Sequence, residues 1–245
     1  MKFKKTLFLL FISINIAHAT EQSSLQTGIG VMHSNDIYKG VDSEFATFPL
    51  IHANYHDAYI AYSSLGYTLL KTSCMALSTE IGLGKTGYKG SDSSFLTNMS
   101  TRKQDIQTRV KLSYFIAEDL LELYYAHDFF NRHKGYEINL SYSKTLYKDD
   151  SQRATFKVGG ELLDKNKSNY YFGVKSNEIN PNRPFYEVKN SINPFCAFHY
   201  TYAINDKWSI LASAQYKRFD ENIYKSPIAE QKYTITSLLG VIYAW

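Results

Sequence analysis

The sequence predicts an all-β chain closed into an antiparallel transmembrane β-barrel of about twelve strands, within a range of about ten to fourteen. Three observations predict it. Apolar and polar residues alternate with period two over stretches of about nine to eleven residues, the length of a tilted bilayer crossing rather than the usual globular strand. The polar faces carry full charges: Glu80, Arg109, Lys111, Glu137, Lys157 and Glu161. Tyrosine and tryptophan cluster near strand ends, as at Tyr55, Tyr59, Tyr136, Trp208 and Tyr243, where interfacial girdles are expected.

The compartment is written in the first nineteen residues. "MKFKK" is a basic start, "TLFLLFISINI" is too short to span a bilayer as a helix, and "AHA" at Ala17 to Ala19 fits small-x-small cleavage. Residues 1–19 therefore read as a cleaved secretory signal peptide and residues 20–245 as one outer-membrane barrel domain. Of the net charge of +4, three charges belong to Lys2, Lys4 and Lys5. With +1 left, the electrostatic case for a nucleic-acid partner disappears. No later apolar run is long enough for a transmembrane helix.

The strands follow in order. Weaker alternations occupy roughly 25 to 33, 47 to 55 and 59 to 69. Next, Met75, Leu77, Ile81 and Leu83 oppose Ser78, Glu80 and Gly82, and Ile106, Val110, Leu112, Tyr114 and Ile116 oppose Gln107, Arg109, Lys111 and Ser113. After a stretch at 119 to 127, "GYEINLSYSKTL" places Tyr136, Ile138, Leu140 and Tyr142 against Glu137, Asn139, Ser141 and Ser143. Phe156, Val158 and Leu162 oppose Lys157, Gly159 and Glu161; further stretches at 168 to 175 and 195 to 204 are read as strands. Trp208, Ile210, Ala212, Ala214 and Tyr216 oppose Ser209, Ser213, Gln215 and Lys217. The final "YTITSLLGVIYAW" sets Tyr233, Ile235, Leu239, Val241, Tyr243 and Trp245 on one face. A bulky alternating row with an aromatic last residue looks like the assembly signal of bacterial outer-membrane barrels.

Periodicity does not tell inside from outside, and a secreted β-sandwich would bury the apolar face that a barrel turns to lipid. Strand length, charged faces and the absence of tolerable open edges in lipid favour the barrel. With twelve full strands as read, the long "KTGYKGSDSSFLTNMSTRKQ" connection falls on the periplasmic side and the short "AEDL" outside, the reverse of the usual pattern. Either one strand is miscounted or the long segment is a periplasmic extension suited to docking.

No candidate catalytic, cofactor-binding or metal site emerges, and the chain reads as non-enzymatic. His33 and Ser34 are adjacent, so a strand points them to opposite faces. His52 and His56 on a strand stand about 13 Å apart, too far to share a metal. Cys74 is placed on the inner face and Cys196 on the outer, which argues against a disulfide. The mixed signs of the lumen charges favour ion pairing across a filled interior over a selective pore.

Several stretches together resemble the MltA-interacting protein family, also called the MipA/OmpV family: "NDIYKGVDSEFATFPLIHANYHDAYI" (35–60), "YYFGV" (170–174), "NRPFYEV" (182–188), "YKRFDENIYKSPIAEQ" (216–231) and the terminal strand. Tyr38 and Gly40 match its Tyr-x-Gly element, and Ser226, Pro227 and Ile228 its Ser-Pro-Ile element. The terminal Trp245 and the small number of glycines are departures. The resemblance implies a non-enzymatic outer-membrane protein with no cofactor. Its partners would be outer-membrane lipid and, as for the name-giving member, a murein lytic transglycosylase and a penicillin-binding protein. Other members are described as porin-like, so a small diffusion channel is the alternative. A lipid-modifying barrel enzyme is a distant third reading.

Overall fold

A computed structural model describes residues 23–245; the leader at 1–19 lies outside the described residues. Twelve antiparallel strands form one closed barrel in which every strand pairs with its neighbours in sequence. They are β1 Ser24–Ser34, β2 Glu44–Tyr55, β3 Ala58–Ala61, β4 Ser64–Lys71, β5 Met75–Leu83, β6 Ile106–Ile116, β7 Asp119–Asp128, β8 Tyr136–Lys148, β9 Gln152–Leu163, β10 Ser191–Ala203, β11 Trp208–Arg218 and β12 Tyr233–Ala244. β1 and β12 close the seam in a register running from Gln26 opposite Ala244 to Ser34 opposite Thr236. Beyond β12, the Trp245 backbone N–H donates to the Leu25 carbonyl at 3.1 Å, and its indole Nε1 donates to Thr27 Oγ1 at 2.9 Å.

The faces sort as the alternation predicts. On β6, Arg109 is 1% exposed while its neighbour Val110 is 47% exposed, so charge points in and hydrocarbon points out. An inward apolar face would bury Val110 and expose Arg109, which excludes the sandwich. Aromatic side chains ring both ends of this apolar band. Tyr55 and the contacting series Trp208, Tyr243 and Trp245 lie at one end; Phe45, Phe129, Phe130 and the stacked Tyr125 and Tyr136 lie at the other. Tyr59 is a correction. It faces the lumen, where its hydroxyl donates to Glu80 Oε1 at 2.7 Å. Gly66 opposite makes room for it, since an added Cβ there would lie 2.2 Å from the Tyr59 ring.

Two readings of single strands are overturned, and the errors cancel in the count. The stretch at 59 to 69 is two short strands, β3 and β4, joined by a turn through Tyr62 and Ser63; Tyr62 has φ of 51°. The stretch at 168 to 175 lies largely in a helix, α1 Lys165–Phe172. The Asp164 side chain caps its N-terminus by accepting from the backbone N–H groups of Asn166 and Lys167, a local device that outweighs a weak alternation over eight residues. Because β4 intervenes, β5 runs toward the opposite end from that expected. The 84–105 connection therefore joins the other long loops, 35–43, 129–135, 164–190 and 219–232, and "AEDL" lies among the short turns. The barrel thus has short turns at one end and long loops at the other; in outer-membrane barrels the short turns face the periplasm, so the 84–105 connection is not a periplasmic extension.

The long loops pack on a core of their own. Tyr38, Tyr88, Leu96, Met99, Tyr171, Phe172, Val188, Phe219, Ile223 and Ile228 form one buried cluster across that end. The Tyr-x-Gly and Ser-Pro-Ile elements meet there. Tyr38 bridges Ala229, the Lys39 N–H donates to the Ile228 carbonyl at 2.9 Å, and the Glu230 N–H donates to the Ile37 carbonyl at 2.8 Å. Gly40 adopts φ of +69° beside them, a left-handed turn that favours glycine. A second buried cluster, Met32, Phe48, Leu50, Leu211, Leu238 and Ile242, covers the inner wall of β1, β2, β11 and β12. The lumen is thus apolar on one side and charged on the other.

Candidate functional site

The charged wall is built by β5 to β11, whose inward positions recur every second residue, and is completed from above by α1. Glu80 receives Lys111 and lies 3.6 Å from Arg109; Glu122 lies 3.5 Å from Lys157, and Glu161 lies 2.7 Å from Lys217. Lys167 reaches in from α1 and donates to Glu137 at 2.8 Å and to Asp105 at 2.9 Å. Gln107 Nε2 donates to both of those acids, at 3.2 Å and 3.0 Å, and Tyr124 donates to Glu137. His133 Nε2 lies 3.3 Å from Asp105. All six lumen charges named from the sequence face inward. Lys157 pairs with Glu122, Glu161 with Lys217 and Glu137 with Lys167, partners that reading the strands singly does not supply.

Above this network lies the packed cap. Arg102 Nη2 donates to Glu178 Oε2 at 2.7 Å, both side chains being essentially inaccessible, and its Nε donates to the Tyr170 carbonyl at 2.6 Å. Arg183 donates to the carbonyls of Phe95, Thr97 and Glu178, tying the 84–105 loop to the 164–190 loop. Between cap and network is a cavity of about 160 Å³ bordered by Met32, Asp36, Ile37, Lys85, Phe195 and Phe219 together with the paired charges.

Burial acts on the loop carboxylates and lysines in different ways. Burial would raise the Asp105 carboxyl, but the Lys167 ammonium and the bonds from His133 and Gln107 outweigh it and hold it well below the usual range. Burial would lower Lys167, but Glu137 and Asp105 keep it above its ordinary value. At Lys85 the balance goes the other way: burial, with Lys217 adding to it, outweighs the attraction of Glu161 and Asp36 and brings its amine down to about 8. Glu178 is held at about 2 against its ordinary 4.5, because the Arg102 bond and the backbone N–H groups of Lys175 and Ser100 outweigh burial.

That last shift predicts an acid-labile cap. A carboxyl depressed in the folded state contributes stability above 4.5 that is lost as pH falls toward 2, and Asp105 has the same sign. Pepsin digestion across this window is expected to cut within 164–190 while the barrel band persists. Resistance unchanged from pH 5 to about pH 2 would contradict the assignment.

The other singled-out residues stay dispersed. His33 faces outward against Phe45, with ring centroids 4.6 Å apart, while the Ser34 hydroxyl is buried 3.0 Å from Thr236 Oγ1. His52 sits on the lumen wall and His56 in the turn after β2. Among the described residues no three histidine, cysteine or acidic side chains are grouped to hold a metal. Cys74 lies in the turn between β4 and β5 and Cys196 on the outer face of β10; both are free thiols. Sequence reasoning missed Lys85, Asp105, Lys167 and the Arg102–Glu178 pair, all carried by loops or α1. The Asp164 cap was the one local signal that could have placed Lys167.

The chain is similar to known proteins over most of its length. The family model described as MltA-interacting protein MipA matches residues 27–245. The chain is 24% identical over 215 residues to the outer membrane protein OmpV of Vibrio cholerae serotype O1, covering 86% of this chain and 82% of that protein. It is 23% identical over 240 residues to the MltA-interacting protein of Escherichia coli strain K12, covering 96% and 95%. Among solved structures, the COG4313 outer membrane channel from Pseudomonas putida F1 aligns over 96% of this chain and 100% of that one, with a TM-score of 0.46 and 10% identity. The closed barrel with its apolar exterior and the match across nearly all the described residues lead to one assignment: this chain belongs to the MltA-interacting protein MipA family of outer-membrane β-barrels.

Proposed function

We propose that this outer-membrane barrel is a non-enzymatic binding or scaffold protein that does not conduct. The observation that carries the reading is the closed mouth: the long loops share a buried core, and beneath it the lumen is crossed by ion pairs. The partner class follows the relative named MltA-interacting protein, and is a murein lytic transglycosylase with a penicillin-binding protein. With the long loops outside, the surface available to such enzymes is the short-turn rim at 56–57, 72–74, 117–118, 149–151 and 204–207. The export leader at 1–19 belongs to the same proposal.

In planar bilayers the purified barrel is expected to show no discrete conductance, and tagged protein is expected to co-purify the two murein enzymes. A small diffusion channel is the second reading, favoured by the cavity inside the lumen. Steady unitary currents would establish it and end the closed-barrel reading.

A further inference from the structure

One cation in the cavity wall stands apart from the rest. Arg109, Lys111, Lys157, Lys167 and Lys217 each have a carboxylate within 4.0 Å. Lys85, among the described residues, has none. Its ammonium instead faces aromatic rings, 4.9 Å from the centroid of Phe172, 5.7 Å from Tyr171 and 5.8 Å from Phe219. The neighbouring acids lie beyond ion-pair distance of it: Asp36 accepts from the Tyr38 N–H at 2.9 Å, and the two oxygens of Glu161 accept from Lys217 and Asn193. The half-buried ammonium thus meets Asp36 and Glu161 only at longer range, which leaves its charge incompletely compensated. The backbone at Lys85 is nonetheless held in place, since its carbonyl accepts from the Tyr171 hydroxyl at 3.1 Å and from the Asp105 N–H at 3.3 Å.

The cavity of about 160 Å³ is far larger than the roughly 10–15 Å³ that one water requires in the same measure. Its apolar border comes from Met32, Ile37 and Phe195. We infer that the capped lumen is a binding site for a small organic monocarboxylate, its carboxylate held by the Lys85 ammonium and its apolar body lying along Met32, Ile37 and Phe195. One carboxylate suits the site, because each of the other cavity cations has a carboxylate within 4.0 Å and Lys85 does not. An apolar body suits it because the greasy wall is otherwise left against water. The site stands whether or not the protein scaffolds murein enzymes, so a failure here leaves the conductance and co-purification results intact.

The test is titration calorimetry of the full chain, folded in detergent, with benzoate, its neutral counterpart benzamide and inorganic phosphate. One benzoate per barrel is expected to bind, at least about tenfold more tightly than benzamide, as for loss of one charge-assisted hydrogen bond. Lys85→Met should bring benzoate down to the benzamide level while raising the denaturation midpoint of the ligand-free barrel; Lys85→Gln supplies the same comparison if the methionine variant does not fold. Lys225→Met, on the exposed surface, should leave binding unchanged. Equal affinity for benzoate and benzamide, benzoate binding that survives loss of Lys85, displacement by phosphate, or no benzoate bound to the folded wild-type barrel would each overturn the site.

Discussion

Lys167→Met is expected to destabilise the folded barrel by about 3–5 kcal/mol, the usual consequence of deleting one member of a buried charge cluster. Lys167 is only 1% exposed and is an ion-pair partner of both Glu137 and Asp105. Its removal leaves two buried carboxylates, with Gln107, His133 and Tyr124 as their remaining donors. Adding Glu137→Gln and Asp105→Asn to the same chain should recover much of the loss, because the penalty comes from uncompensated charge and not from missing contact area. Urea titrations read by the mobility of the unheated band on gels would measure both. A shift under about 1 kcal/mol for the single variant, the range of exposed pairs, would show that α1 does not seal the lumen as described.

Leu239→Arg is the second large effect, about 2–4 kcal/mol against folding into a bilayer. Leu239 lies at the middle of β12, faces outward and is 60% exposed. Tyr233→Arg, at the first position of the same strand and also outward-facing, should cost only about 0–1 kcal/mol, as expected near the interface. Folding titrations into lipid vesicles would compare the two. On a water-exposed surface both substitutions would fall within about 0.5 kcal/mol, so equal small effects would refute the lipid-facing band.

The six charges named from alternation all face the lumen because a strand permits only two directions, and long-range closure does not change which face a residue takes. The same rule placed His33 and Ser34 apart and put Cys196 outside. The weaker alternations failed at two places. At 168 to 175 it competed with the Asp164 cap and lost, and at 59 to 69 it ran through a turn where Tyr62 takes a positive φ.

By itself, then, the sequence determined which strand residues share a face, since that follows from a repeat of two residues that is local in the chain; strand length and the charged faces favoured a closed, lipid-facing barrel, and short motifs carried the resemblance to the family. Only the tertiary structure decided which end carries the long loops, that those loops share a core, and that Lys85 alone among the described cavity cations lacks a carboxylate. Those outcomes depend on contacts between segments far apart in sequence, such as Arg102 with Glu178 and Lys167 with Glu137. Pairing of this kind depends on the path of the loops in space, which no short-range periodicity encodes.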